Sequence, residues 1–333
     1  MSKHRKDLQK AKQRRDRIRR EKHAGRAGTP AAPVPIMTEH PFATERALRS
    51  VQALLEGQNF NSTDEINDRL AELTGGDRLA ELAGAWKQDD PKWRAQELAY
   101  DALETDDIVE AMRLAHEAQK LDPDCTDAQR LMVSLIPMEL DNRILLMREV
   151  VDKAEGNFGA GFFEEHTGHF WDVPTRPYMR AKQHLGELLA EAGKLEEAAV
   201  VFERMVELNP NDNQGMRYPL LGLYLATGQK EAAARLMSRF PDEERIMGSF
   251  AWARVLERWL AGTLDEAKAA LARARKVNPF AGDYILGVRE QPKELPQLYR
   301  PGEESEAQVC ANELAIAWKA HPAFLEWLPR ATI

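Results

Sequence analysis

An all-α fold of stacked helical hairpins is what the sequence predicts, and three observations carry that expectation. A Gly-x-x-x-x-Ala unit recurs at Gly193–Ala198, Gly228–Ala233 and Gly262–Ala267, with its glycines 35 and 34 residues apart. A large apolar residue follows each alanine by four positions, at Phe202, Met237 and Leu271. In the first and third copies a proline, Pro210 or Pro279, stands twelve residues after the alanine. Glycine lets the turn between two antiparallel helices adopt backbone angles that other residues resist. Alanine suits a close crossing of helices, where a bulkier side chain would cost roughly 1–3 kcal/mol. Proline ends the second helix and sends the chain into the next unit.

With this period and these positions the stretch Arg180–Phe280 resembles the tetratricopeptide repeat, whose hairpins stack into a superhelix. That resemblance implies an α-α solenoid with a concave face for a partner. The chain divides on this reading into a basic arm (1–26), a Pro/Gly-rich linker (27–41) and an N-terminal helical cap (42–91). Degenerate repeats (92–155), an aromatic and Gly-rich connector (156–178), three clear repeats (179–281) and a C-terminal helical cap (282–333) follow.

Composition bounds the function. At 43% hydrophobic and 30% charged residues the chain is ordinary for a water-soluble protein of 333 residues. Cys125 and Cys310 form neither a disulfide framework nor a zinc spacing. No window approaches a membrane span, and the N-terminus lacks the apolar core of a secretion signal, so a cytoplasmic protein without membrane contact is expected. The net charge of −8 hides an asymmetry: residues 1–26 hold twelve Lys or Arg against three acids, a net +9 that leaves −17 for the remainder. An arm with so few aliphatic residues cannot bury enough surface to pack and is expected to be disordered or a fluctuating helix. Its cations, Arg14, Arg15, Arg17, Arg19 and Arg20 at the centre, suit RNA, ribosome or DNA contact, or equally the chain's own acidic body. The linker, with Pro30, Pro33, Pro35 and Pro41, should keep the arm tethered.

From Phe42 the pattern is helical. Apolar residues at Ala47, Leu48, Val51, Leu54 and Leu55 mark one helix stripe, and Ser62 with Glu65 makes a capping box for the next helix. Another helix is expected from Asp77 toward Trp86. Lys92–Pro123 reads as a hairpin with Leu98 and Ala102 on one helix and Ala111, Ala115 and Ala118 on the other, although its turn carries Asp106-Asp107 in place of glycine. In Thr126–Ala154 the buried stripe should be Ile144, Leu145, Met147 and Val150 or Val151. The connector gathers Phe158, Phe162, Phe163, Phe170 and Trp171, which suits packing at a joint between repeats. Its glycines lack the Gly-Lys-Ser/Thr of a phosphate loop, and His166 and His169 are three apart with no glutamate between them, so neither a nucleotide nor a metal is expected there. In the C-terminal cap a final helix from Glu303 to Ala320 should bury Ala307, Cys310, Leu314, Ala317 and Trp318.

Two strings sharpen the resemblance. Phe162 with Gly168–Trp171 and Thr175–Ala181 is one, and Leu208–Gly215 with Arg217-Tyr218 is the other. Together with Pro123–Ala128 and Tyr299–Glu303 they resemble the repeat-containing family related to the suppression-of-tumorigenicity protein seven, which has many bacterial members. That resemblance covers residues from about 42 to the end. It implies an all-helical scaffold with no catalytic residues and no cofactor.

The first helices of such repeats line the groove. Candidate peptide-binding residues are therefore Arg176, Arg180, His184, Arg217, Tyr218, Arg254 and Arg258. If the arginines converge they make a basic pocket for an acidic protein or peptide partner. The other reading pairs them with the abundant Asp and Glu of the chain. No Ser-His-Asp, Cys-His or paired-carboxylate arrangement falls into one site, so the expected function is a non-catalytic adaptor, with nucleic-acid binding through residues 3–26 as its alternative.

Overall fold

The computed structural model describes residues 42–55, positions 62, 65, 66, 68, 69 and 87, and residues 89–331. Arg14, Arg15, Arg17, Arg19 and Arg20, the linker and the helix expected from Asp77 lie outside the described residues. The capping box does not: the Glu65 amide donates to Ser62 Oγ at 3.2 Å.

Helix α1 (Ala43–Leu55) precedes five hairpins, each a first helix followed by an antiparallel second. They are α2 (Pro91–Glu104) with α3 (Ile108–Leu121), α4 (Thr126–Leu135) with α5 (Leu140–Gly156), and, after the one-turn α6 (Phe162–His166), α7 (Arg176–Glu191) with α8 (Leu195–Leu208). Then come α9 (Arg217–Ala226) with α10 (Lys230–Arg239), the short α11 (Glu243–Ile246), and α12 (Gly248–Leu260) with α13 (Leu264–Val277). The C-terminal segment forms α14 (Ala281–Ile285), α15 (Glu304–Glu313), α16 (Ala315–Ala320) and α17 (Pro322–Trp327). All regular structure among the described residues is helical, as the sequence predicts.

The repeat positions do what their chemistry requires. Gly193, Gly228 and Gly262 close the first helices with φ of +71°, +73° and +77°. Ala198, Ala233 and Ala267 are fully buried, and Phe202, Met237 and Leu271 are buried behind them. The turn of the first hairpin dispenses with glycine because Asp107 caps α3, accepting from the amides of Val109 and Glu110 at 2.9 and 3.3 Å. The fit at the crossing of α7 and α8 is tight: a Cβ on Gly186 would stand 2.7 Å from Cζ of the Phe202 ring. Gly186→Ala gains up to about 1 kcal/mol of helix propensity. The buried ring has nowhere to go, so overpacking of roughly 1–3 kcal/mol should outweigh that gain. A lower denaturation midpoint is expected; a raised one would mean the crossing is looser than drawn.

Two stripes depart from expectation. Leu145 is 56% exposed, while Ile144, Met147, Val150 and Val151 are buried. In α1 the inward residues are Glu45, Ser50 and Leu54; Ala47 is exposed and Leu48 is 39% exposed. A charged residue faces inward because its partners wait there, as described below. Four of the five connector rings, Phe158, Phe162, Phe163 and Phe170, cluster with Tyr178 at centroid distances of 4.6–6.2 Å, while Trp171 lies under the Arg176 guanidinium instead. The expected single C-terminal helix is broken at Leu314 into α15 and α16, with Ala307, Cys310, Leu314, Ala317 and Trp318 all buried.

Candidate functional site

The first helices form a row. Among them α2 packs on α4, α4 on α7, and α9 on α12. Both ends of that row are covered by the chain itself. At one end α1 lies across it, with Tyr100 Oη of α2 donating to Glu45 at 2.7 Å and Arg180 of α7 donating to both Glu45 oxygens at 3.0 Å. At the other end α15 and α16 lie against α9 and α12. There Leu314 and the Glu313 carbonyl sit 3.4 Å from where a Cβ on Gly222 would be, and His321 Nε2 lies 2.7 Å from the Leu225 carbonyl. The stretch left between these covers carries part-exposed polar side chains: Ser134 of α4, Gln183, His184 and Glu187 of α7, and Gln214 before α9.

The expected arginine pocket does not form, because carboxylates of the chain hold the arginines in two separate groups. Arg176 and Arg180 belong to the α1 end. Arg180 donates to Asp127 through Nε at 2.9 Å and through Nη2, besides its bonds to Glu45; Arg176 reaches Glu45 at 3.4 Å and the Trp171 carbonyl at 3.0 Å. Asp127 is fully buried and accepts from Gln96 Nε2 at 2.8 Å as well. Burial would raise its carboxyl, but the Arg180 guanidinium outweighs that and holds it below the usual range. Arg217 and Arg254 flank α11: Arg217 pairs with Asp212 at 3.0 Å and Glu243 at 3.1 Å, and Arg254 with Glu244 and Glu257 at 3.0 Å. Tyr218 donates to Glu243 at 2.7 Å. Arg258 pairs with Glu257 and Glu266 and, with Arg254, lines a cleft of about 260 Å³ between α11, α12 and α13. Of the seven candidates only His184 remains in the open stretch.

Ser134, Arg130 and Arg143, beside or acting on His184, were not singled out from the sequence. Ser134 Oγ lies 3.4 Å from its Nδ1. Burial, with the positive charges of Arg130 on α4 and Arg143 on α5, pushes the ring down to about 4. Among the described residues each of these arginines has one donor without a hydrogen bond. Arg130 Nε is buried without a hydrogen bond, 3.6 Å from an Asp127 already held by Arg180; Arg143 Nε is buried and unbonded too. Both sit in the hairpin whose repeat positions have drifted, so no spacing marked them.

A ring held neutral to about 4 in the fold, and titrating near 6.5 when unfolded, makes the unfolded chain bind the extra proton between those values. Stability should therefore fall as pH drops from about 6.5 toward 4. Allowing for solvent around a part-exposed ring, the loss is roughly 1–2 kcal/mol. Denaturation at pH 7 and pH 5 should show it, and His184→Gln should flatten the difference; an unchanged slope in that variant would assign it to other groups.

Cys125 is buried with its thiol pushed up to about 12 by burial, and burial raises Cys310 as well. His166 stacks on Phe162, its Nδ1 3.0 Å from the Phe162 carbonyl. Among the described residues no three His, Cys, Asp or Glu side chains are grouped to hold a metal ion, and no helix is long and apolar enough to cross a membrane.

A row of antiparallel hairpins with glycine turns, alanine crossings and a polar first-helix face defines a helical-repeat scaffold. A family model for the tetratricopeptide repeat matches residues 189–245, from the end of α7 through α11. Repeats of this kind serve protein–protein interaction in general. No curated protein matches the chain. The matched span includes the Leu208–Tyr218 string of the finer family resemblance and lies outside its Phe162–Ala181 string.

Proposed function

We propose that the chain is a non-catalytic adaptor that holds an extended or helical segment of a partner protein in the open centre of its groove. The observation that carries this reading is the coverage of the first-helix row. Its two ends are closed by α1 and by α15 and α16, whereas Ser134, Gln183, His184 and Glu187 are left part-exposed between them. A polar row on rigid helices offers hydrogen bonds at fixed spacing without ordering cost to the scaffold. Membership in the family related to the suppression-of-tumorigenicity protein seven belongs to this proposal. Its support is the pair of strings around Gly168–Trp171 and Leu208–Tyr218.

Charge alone supports a second reading, in which the +9 arm binds nucleic acid. One experiment separates the two. The full chain, a chain lacking residues 1–26, and a Gln183→Arg/Glu187→Arg variant are used to capture partners from native lysate, with proteins and RNA both identified. The adaptor reading expects protein partners that survive loss of the arm and vanish in the groove variant. Partners indifferent to the groove variant would overturn it. Binding that disappears with the arm, and that falls roughly 10³–10⁵-fold between 50 and 200 mM salt, would establish the second.

A further inference from the structure

We infer that the chain docks on a second copy of itself head to tail, the first turn of α3 of one molecule seating in a cleft beside α13 of the next. This goes beyond the adaptor reading and uses no residue of the open stretch of the groove.

The first face is the start of α3. Ile108 and Val109 stand side by side there, 62% and 77% exposed. Exposed aliphatics scattered singly are ordinary, but an adjacent pair at a helix start is a small apolar knob. Acids surround it: Asp106 and Asp107 are exposed, and Glu110 is part-exposed. Asp107 spends its carboxylate on the helix cap and Glu110 pairs with Arg113, whereas Asp106 has no partner among the described residues. Residues 89–127, this hairpin with its flanks, hold twelve Asp or Glu against four Lys or Arg.

The second face is the converse, an apolar hollow with a basic rim. Two clefts of about 410 and 260 Å³ share Glu244 and Arg273 in their walls. Pro241, Ala251, Ala270 and Val277 line the larger, and the small alanines leave it open. In the smaller, Arg254 and Arg258 are already spent on Glu244, Glu257 and Glu266. Arg273 and Lys276 are not. They are exposed one turn apart on α13, with no ion pair or hydrogen bond among the described residues. From Lys268 to Val277 that helix carries four cations and no acid. The helix dipole favours cations at a C-terminus, which accounts for their charge but not for the hollow beside them.

Charge selects the occupant. Beyond residue 26 the chain carries a net −17, so two copies repel over most of their surface and attraction has to be local. Asp106 against Arg273 or Lys276 supplies it, while Ile108 and Val109 fill the alanine-floored hollow. Because the two faces differ, the contact is heterologous. Each molecule offers one of each, so assembly continues until a ring closes or runs on as an open chain.

Sedimentation of the full chain across about 1–500 µM, the range of small transient interfaces, should show mass rising with concentration. Raising salt from about 50 to 500 mM should weaken the association roughly tenfold, since the charges are exposed. Arg273→Glu/Lys276→Glu should abolish it, and so should Ile108→Asn/Val109→Asn. All four residues are exposed, so both variants should keep the melting temperature of the unaltered chain within a few degrees. Mixed in equal amounts, the two variants should associate again but stop at a pair, because one knob and one cleft survive between them. A chain that stays single at every concentration would overturn the proposal. Association lost in only one variant would mean a face that meets its own copy, and a mixture that fails to pair would mean that the two faces do not meet; either result overturns it. Deleting residues 1–26 should leave the association intact. Its loss would make the basic arm the occupant of the acidic face and overturn the cleft.

Discussion

Asp127→Ala should destabilise the chain by about 3–5 kcal/mol, the usual cost of removing one partner from a buried ion pair. Asp127 is fully buried and ties four residues from four helices: Gln96 of α2, Arg130 of its own α4, Arg180 of α7 and, through Arg180, Glu45 of α1. Without it Arg180 keeps Glu45 as its carboxylate partner, and Arg130 loses the carboxylate it pairs with at 3.6 Å. The pair is worth less than this truncation suggests, because both charges were dehydrated to form it. Asp127→Ala combined with Arg180→Leu should therefore recover part of the loss, and that non-additivity separates a coupled pair from a simple cavity. Chemical denaturation of the two single variants and the double variant gives the answer. A loss under about 1 kcal/mol, the level of a solvent-exposed pair, would show that water reaches the cluster. The pH dependence has a definite sign. A carboxyl held below its unfolded value contributes stability above that unfolded value, and loses it as pH falls through the folded one. The Asp127 contribution should thus persist through the window in which His184 weakens the fold.

What could be read from the sequence follows the range of the forces involved. The hairpins were legible because turn, crossing and termination are set by residues within one repeat: Gly193, Ala198, Phe202 and Pro210 need only each other. The buried stripe of the C-terminal cap was legible as a stripe, since Ala307, Cys310, Leu314, Ala317 and Trp318 share one helical face, but what it covers was not. Its counterpart, Gly222 on α9, is about ninety residues upstream. Glu45 shows the limit most clearly. A glutamate among leucines reads as the solvent side of α1, yet its arginines come from 131 and 135 positions away and turn it inward. The arginine groove failed for the same reason. Composition shows that carboxylates are abundant, not which guanidinium each will meet; Arg217 finds Asp212 and Glu243, and Arg254 finds Glu244 and Glu257. Arg130 and Arg143 were invisible because their hairpin has lost the glycine and alanine landmarks that would have assigned them a face.

Glu306→Ala should release the C-terminal cover from the groove. Glu306 is 1% exposed and accepts three hydrogen bonds, from the Gly248 amide at 2.7 Å, Asn278 Nδ2 at 2.8 Å and the Gly302 amide at 2.6 Å. The first joins α15 to the start of α12, the second to the end of α13, and the third to the loop before α15 itself. Truncation leaves three donors with little water to turn to. At about 1–3 kcal/mol for each unsatisfied group, discounted for relaxation, the expected cost is roughly 3–5 kcal/mol. Glu306→Gln should do nearly as badly, because every partner is a donor and the amide NH₂ must face at least one of them. Glu303→Ala, at a side chain 57% exposed, is the control and should stay within about 0.5 kcal/mol. The loss should also be local. Repeat arrays are held by neighbour contacts, so the hairpins from α2 to α8 have no reason to weaken with it. Hydrogen exchange is the direct measurement: amides of α9, α12, α15 and α16 should speed up while those of α7 and α8 keep their protection. Uniform acceleration along the chain would mean that the cover and the hairpins unfold as one unit. Unchanged exchange in α9 would mean that Leu314 and Trp318 hold the cover in place by apolar contact alone.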